Sequence, residues 1–230
     1  MEERELVEYE AMQEKIMAGA WKAIEAQGVD ADCLAGFDSQ IGKLYKSKGD
    51  PVSILVSGRA SNGWKHGSKA SDRPHLFPVH RSAFITVCRL ISDHFYGDQF
   101  PEDHLVWTNT FRISDCESGN PTKYLWAAQY NSMCQIAALE QECLCPDVSI
   151  YMTGTKTDWD SPLWDGYLNH HGWSKVIHED SIVNRGGRLC RMMAYKCQGR
   201  IFVITDRPES FSRKLFAEAV IKVIEHCLRR

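Results

Sequence analysis

Val52-Ser-Ile-Leu-Val-Ser-Gly-Arg-Ala-Ser-Asn-Gly-Trp64 is the stretch on which the fold turns. A short apolar run that stops at a glycine-punctuated loop reads as a strand buried on both faces. Strands of that kind belong to parallel sheets, where ligands sit beyond the carboxyl ends. The loop Gly58-Arg59-Ala60-Ser61-Asn62-Gly63 is therefore the first candidate for a site.

Further apolar or β-branched runs follow at intervals: 104–112, 148–152 and 200–205. Helical spacing fills the gaps. Phe84, Val87, Cys88 and Ile91 predict a helix over 81–95, and Asn120-Pro121 predicts the start of another that runs to about Cys143. Ser210 is placed to cap a last helix with Phe216, Ala219, Val220, Val223 and Cys227 on its apolar face. Leu6, Tyr9, Ile16, Ala20 and Ile24 predict an amphipathic helix over residues 2–27, with Gly28 as its stop. Ser114–Asn120 reads as a turn. Residues 155–172, with two tryptophans, Asn169, His170 and His171, read as a lid or surface excursion, and Val176-Ile177 and Leu189–Lys196 are expected as two strands around the Arg185-Gly-Gly turn. Alternating strands and helices predict a three-layer α/β/α sandwich with a mostly parallel four-stranded central sheet. Residues 1–50 read as an N-terminal helical extension and 51–230 as the α/β domain.

The chain of 230 residues carries a net charge of −3, so no global basic field advertises a nucleic-acid partner. MEERELVEYE lacks the apolar region of a signal peptide, and no run approaches the roughly 18 residues of a membrane span. With nine cysteines, this points to reduced thiols in the cytoplasm.

Several familiar motifs do not fit. GxxxxGK[ST] is missing, and Gly58, Gly63 and Gly67 do not have dinucleotide-binding spacing. Ser61-Asn-Gly63 is half of a nucleophile elbow, with Arg59 where the first glycine belongs. Cys143-Leu-Cys145 is too tightly spaced for zinc, and His170-His171 has no companion at telling spacing. No metal and no cofactor are expected.

One combination is more specific. Trp107-Thr-Asn109-Thr-Phe-Arg112 is followed by Gly119-Asn-Pro-Thr122, a helix, and Cys145-Pro-Asp-Val-Ser-Ile-Tyr-Met-Thr-Gly154. This order resembles the central segment of the uracil-DNA glycosylase superfamily, particularly its family 4 branch. Gly58-Arg-Ala-Ser-Asn62 lies where that family carries Gly-Glu-Ala-Pro-Gly, Phe77-Pro-Val resembles its Pro-Phe-Val segment, and Thr205-Asp-Arg-Pro-Glu209 stands at its Thr-x-His-Pro-Ser loop. The resemblance covers roughly residues 50 to 228.

It implies the corresponding fold and a protein that recognises a nucleobase in DNA, hydrolysing the N-glycosidic bond of a deaminated or damaged base. Asn109 would read the base edge and Phe77 would stack on it. Gly58, Arg59 and Ser61 would line the site, Asn62 would position water, and Arg207 would stabilise the departing base. The departures fall on the chemistry. Arg59 fills the place of the water-handling acid or amide, Arg207 that of a histidine, and the four thiolates of the branch's iron–sulfur cluster are not reproduced. Asp206 or Glu209 would have to serve as base. The alternative is a catalytically inactive module of the same fold that binds a nucleotide or nucleic acid. A hydrolase using Ser61 is a third reading. DNA or a nucleotide is the expected partner.

Overall fold

A computed structural model of the chain describes residues 3–60, 82–97, 100–115, 120–155, 158–176, 181–183 and 189–229, the side chains of 101, 102 and 181–183 excepted. The quoted stretch forms β3 (Ile54–Ala60), after α1 (Glu3–Glu25) and the short strands β1 (Leu34–Gly36) and β2 (Gln40–Ile41). Then come α2 (Ala83–Tyr96), β4 (Val106–Phe111), β5 (Ile113–Asp115), α3 (Lys123–Leu139) and β6 (Val148–Tyr151). The chain closes with β7 (Ser174–Val176), β8 (Ser181–Val183), β9 (Leu189–Cys197), β10 (Arg200–Thr205) and α4 (Arg213–Leu228).

The four expected strands lie side by side in the order β4-β3-β6-β10, all parallel. They are the centre of a larger mixed sheet of eight strands. β2 adds antiparallel to β4, β9 to β10, and β7 and β8 to β9. The long hairpin β9–β10 turns at Gln198-Gly199, both with positive φ. The Arg185-Gly-Gly turn lies outside the described residues.

Both faces of the sheet are covered, which is why its central strands read as continuous apolar runs. Ile54, Val56, Val148, Ile150, Ile201 and Val203 point to one side and pack with α2 and α4. Leu55, Tyr151, Phe202 and Ile204 point to the other and meet Tyr9 of α1, Leu139 of α3, and Leu163, Tyr167 and Leu168. α2 begins where Ser82 Oγ accepts from Ile85 N at 3.2 Å and ends at Gly97, whose left-handed φ of 68° suits a residue without a Cβ.

Some boundaries differ from the sequence reading. Thr122, not Asn120-Pro121, caps α3: its hydroxyl reaches Leu125 N at 3.4 Å. The helical chain continues past α3 as a wide turn, Glu140–Leu144, before Cys145 reverses it. Ser114 and Asp115, expected at the start of a turn, instead join Ile113 in pairing with β1. α4 starts three residues after Ser210, with Ser212 before it. The stretch around 158–171 is not a surface excursion. Leu163, Tyr167 and Leu168 recur at helical spacing and are fully buried, and Gly166 packs so tightly that a Cβ there would overlap the Cys134 backbone of α3. No described helix is long and apolar enough to cross a membrane.

Candidate functional site

β4 and β6 flank β3 on opposite sides, and the helices that follow β3 and β6 go to opposite faces of the sheet. Diverging connections of this kind leave a crevice at the carboxyl ends of the two strands. Gly58, Arg59, Asn109 and Arg207 all lie at that edge of the sheet, on or just beyond β3, β4 and β10.

Gly58 and Asn109 are direct neighbours in the β3–β4 register. The Asn109 side chain lies across the glycine: a Cβ at position 58 would stand 2.5 Å from Asn109 Oδ1 and 3.7 Å from Phe84 Cε2. Glycine is required here for close approach, not for backbone freedom. Asn109 is 5 % exposed, and among the described residues nothing hydrogen-bonds its side-chain amide. Buried amides are normally satisfied, so one at a crevice whose donors and acceptor have no partner among the described residues is a candidate for ligand contact. Half-buried Phe84, at the start of α2, supplies an aromatic wall beside it.

Arg59 points toward β6. Its Nε and Nη2 donate to the Thr153 carbonyl at 3.0 and 2.9 Å, and its guanidinium lies 4.6 Å from the centre of the Trp159 ring. No described carboxylate pairs with it. Burial, and then the charge of Arg207, lower its pKa. The two arginines flank one tripeptide, Thr153-Gly-Thr155. Gly154 N donates to Thr205 O at 2.9 Å, and Thr155 N and Oγ1 donate to Asp206 Oδ1 at 3.2 and 3.0 Å.

Arg207 forms a two-pronged pair with Glu209, at 3.1 and 2.8 Å, in a half-exposed position. Asp206 is buried, and its second oxygen accepts from Arg191 N at 3.2 Å. Both carboxylates considered as a base thus have other partners. Asp206 turns inward, but toward the N–H and O–H donors of Thr155 and Arg191 that hold it in place.

The structure therefore brings Gly58 and Asn109 into contact and sets Arg59 and Arg207 along the same edge. Ser61, Asn62 and Phe77 lie outside the described residues. Sequence reading missed Phe84, taken only as helix core, and the Thr153 carbonyl and Trp159 ring that hold Arg59. Trp159 had one available signal, an aromatic residue shortly after a strand-end Thr-Gly. Among the described residues no cluster of three or more His, Cys, Asp or Glu side chains is arranged to hold a metal ion.

No protein-family model matches the chain, and no curated protein matches it significantly.

Proposed function

We propose that the protein recognises a nucleobase in DNA through a uracil-DNA-glycosylase-like α/β/α domain. The observation that carries this reading is the Asn109 amide, without a hydrogen-bond partner among the described residues and lying over Gly58 beside Phe84. An amide presents one acceptor and two donors in a plane, which matches the alternating carbonyl and N–H groups of a pyrimidine edge. An aromatic wall next to it suits an unstacked base. Arg59 and Arg207 supply positive charge along the same edge, for a phosphodiester or for the negative charge on a departing base. The order of the Thr-Asn, Gly-Asn-Pro and Pro-x-Val segments agrees with this reading, since the first and third lead to the carboxyl edge on either side of β3.

Glycosidic hydrolysis also needs a group that handles water. Asn62 would fill that role in the glycosylase form of the proposal, with Arg207 stabilising the leaving base. The commitment of Asp206 to Thr155 and Arg191, and of Glu209 to Arg207, favours a second form in which the domain binds a base or nucleotide without turnover. One experiment separates them. Purified protein is incubated at stoichiometric amounts with single- and double-stranded oligonucleotides containing uracil, hypoxanthine or xanthine. Binding is followed by fluorescence anisotropy at several salt concentrations and abasic sites by alkaline cleavage. Abasic product establishes the glycosylase. Base-dependent binding without product establishes the binding module. Absence of both abasic product and base-dependent binding overturns the proposal.

A further inference from the structure

Asn109 is held from behind by a buried polar chain that begins on α1, outside the stretch that resembles the glycosylases. Arg112, wholly buried just past β4, donates from Nε to the Asn109 carbonyl at 3.1 Å. Its Nη1 donates to Gln13 Oε1 at 3.1 Å and to Phe37 O at 3.3 Å. Its Nη2 reaches Ser39 Oγ and Thr108 Oγ1, each at 2.7 Å, and pairs with Glu140. Glu140 in turn accepts from Ser39 Oγ at 3.0 Å and Thr108 Oγ1 at 2.6 Å. Gln13 Oε1 is itself fixed, accepting from Tyr9 OH at 2.9 Å and from Ser39 N at 3.3 Å. Gln13 is buried on the α1 face formed by Tyr9, Met17, Ala20 and Ile24.

We infer that Gln13 and Arg112 are positioning residues for Asn109, so that α1 controls the orientation of the base-reading amide. Every donor of the guanidinium fork is used in a single geometry, and the fork ends on the carbonyl of the residue whose side chain faces the crevice. Arginine is suited to this because its planar donors are fixed relative to one another. If Gln13 Oε1 is removed, Nη1 keeps only the longer bond to Phe37 O. The guanidinium can then rotate about its pair with Glu140, and the Asn109 backbone loses its fixed donor. A fully satisfied buried network holds one arrangement, whereas a partly satisfied one does not.

This inference rests on the reading of Asn109 as the base-contacting residue, and its test has a readout that needs no ligand. The Asn109 side-chain NH2 resonances are assigned in a 15N-labelled protein by their loss in Asn109→Asp. They are then compared in wild type, Gln13→Leu, Arg112→Lys and, as control, Ile24→Val, which loosens α1 without touching the network. The expected result is a shift or doubling of the Asn109 signals in Gln13→Leu and Arg112→Lys, with the control unchanged. Uracil-oligonucleotide binding is expected to weaken roughly tenfold in parallel, about 1.4 kcal/mol. Signals that stay put in Gln13→Leu, or that move equally in Ile24→Val, overturn the positioning role. If Arg112→Lys does not fold, the comparison of Gln13→Leu with Ile24→Val decides. Should wild type bind no oligonucleotide, the base-recognition reading falls while the resonances still report on positioning.

Discussion

Arg59 on β3 and Arg112 just past the adjacent β4 sit near the same edge of the sheet, in opposite electrostatic circumstances. Arg112 is inaccessible to water and has a carboxylate, two backbone carbonyls and three side-chain oxygens around it. Arg59 is half-buried and has one backbone carbonyl and the face of Trp159. A buried charge is tolerated when it is paired and its donors are used, and the first arginine meets that condition in full. Among the described residues the second has no paired carboxylate, and its charge lies near that of Arg207, with Glu209 offsetting it in part. The difference separates an arginine committed to the scaffold from one whose charge is left for the proposed ligand.

The largest expected effect tests the scaffold side of this contrast. Arg112→Met leaves Glu140 buried without its partner and should cost about 3–5 kcal/mol of stability, measured by urea unfolding at pH 7. The double change Arg112→Met with Glu140→Leu should be less destabilised than the single one. The effect should also depend on pH with a definite sign. Burial already pushes the Glu140 carboxyl above its ordinary value of 4.5, against the pull of Arg112 and its hydroxyl donors. Without Arg112 that rise is larger, so the folded state holds the proton more tightly than the unfolded one. Stability from this group is then fullest below pH 4.5 and is lost as pH rises through the folded pKa. Arg112→Met should therefore be closest to wild type in acid. A loss below about 1 kcal/mol at pH 7 would place Arg112 in the class of surface pairs and remove the contrast.

The same contrast explains what was legible in the sequence. β3, β4, β6 and β10 announced themselves because burial on two faces demands unbroken apolar runs. The edge strands are short or alternate polar residues, and β1, β2 and β5 carried no such signal. Asn109 and Gly58 could be singled out because they follow apolar runs at strand ends. The network behind them could not. Gln13 and Glu140 are polar residues at helical positions, and on a one-dimensional reading such residues belong to the solvated face. Only the arrival of Arg112 from β4, about a hundred residues from Gln13 in the chain, makes burying them favourable. Arg112 itself was visible only as a basic residue in a motif. Arg59 stood out as a misplaced cation, but its anchor on Thr153 belongs to a strand pairing that no local pattern encodes.

Gly58→Ala tests the reading side with little disturbance of the scaffold. The new Cβ would stand 2.5 Å from Asn109 Oδ1, the end of a side chain that can swing away. Stability should change by about 1 kcal/mol or less, while binding of a uracil oligonucleotide falls at least tenfold, about 1.4 kcal/mol, as it should for Asn109→Ala. Wild-type binding by Gly58→Ala would mean that the amide orientation is irrelevant. Arg59→Met comes next in size. It leaves the Thr153 carbonyl without its donor, a loss of about 1–2 kcal/mol in unfolding experiments, and removes one phosphate-seeking charge. The slope of log affinity against log salt should become shallower by about one.

The smallest stability effect is expected at Arg207, and it is the most discriminating about ligand contact. Its partner Glu209 is exposed, and such pairs contribute at most about 1 kcal/mol, so Arg207→Gln should unfold almost as wild type does. If its charge is nonetheless felt by the ligand, the salt slope should drop by about one, as for Arg59→Met. The double variant then carries the argument. Two arginines that share one anion lose more together or less together than the sum of their separate losses, because they act on the same group. Two that touch separate phosphates should lose affinity additively. An unchanged slope in Arg207→Gln, with Arg59→Met still affected, would leave Arg59 as the charge that meets the ligand and return Arg207 to its exposed pair with Glu209.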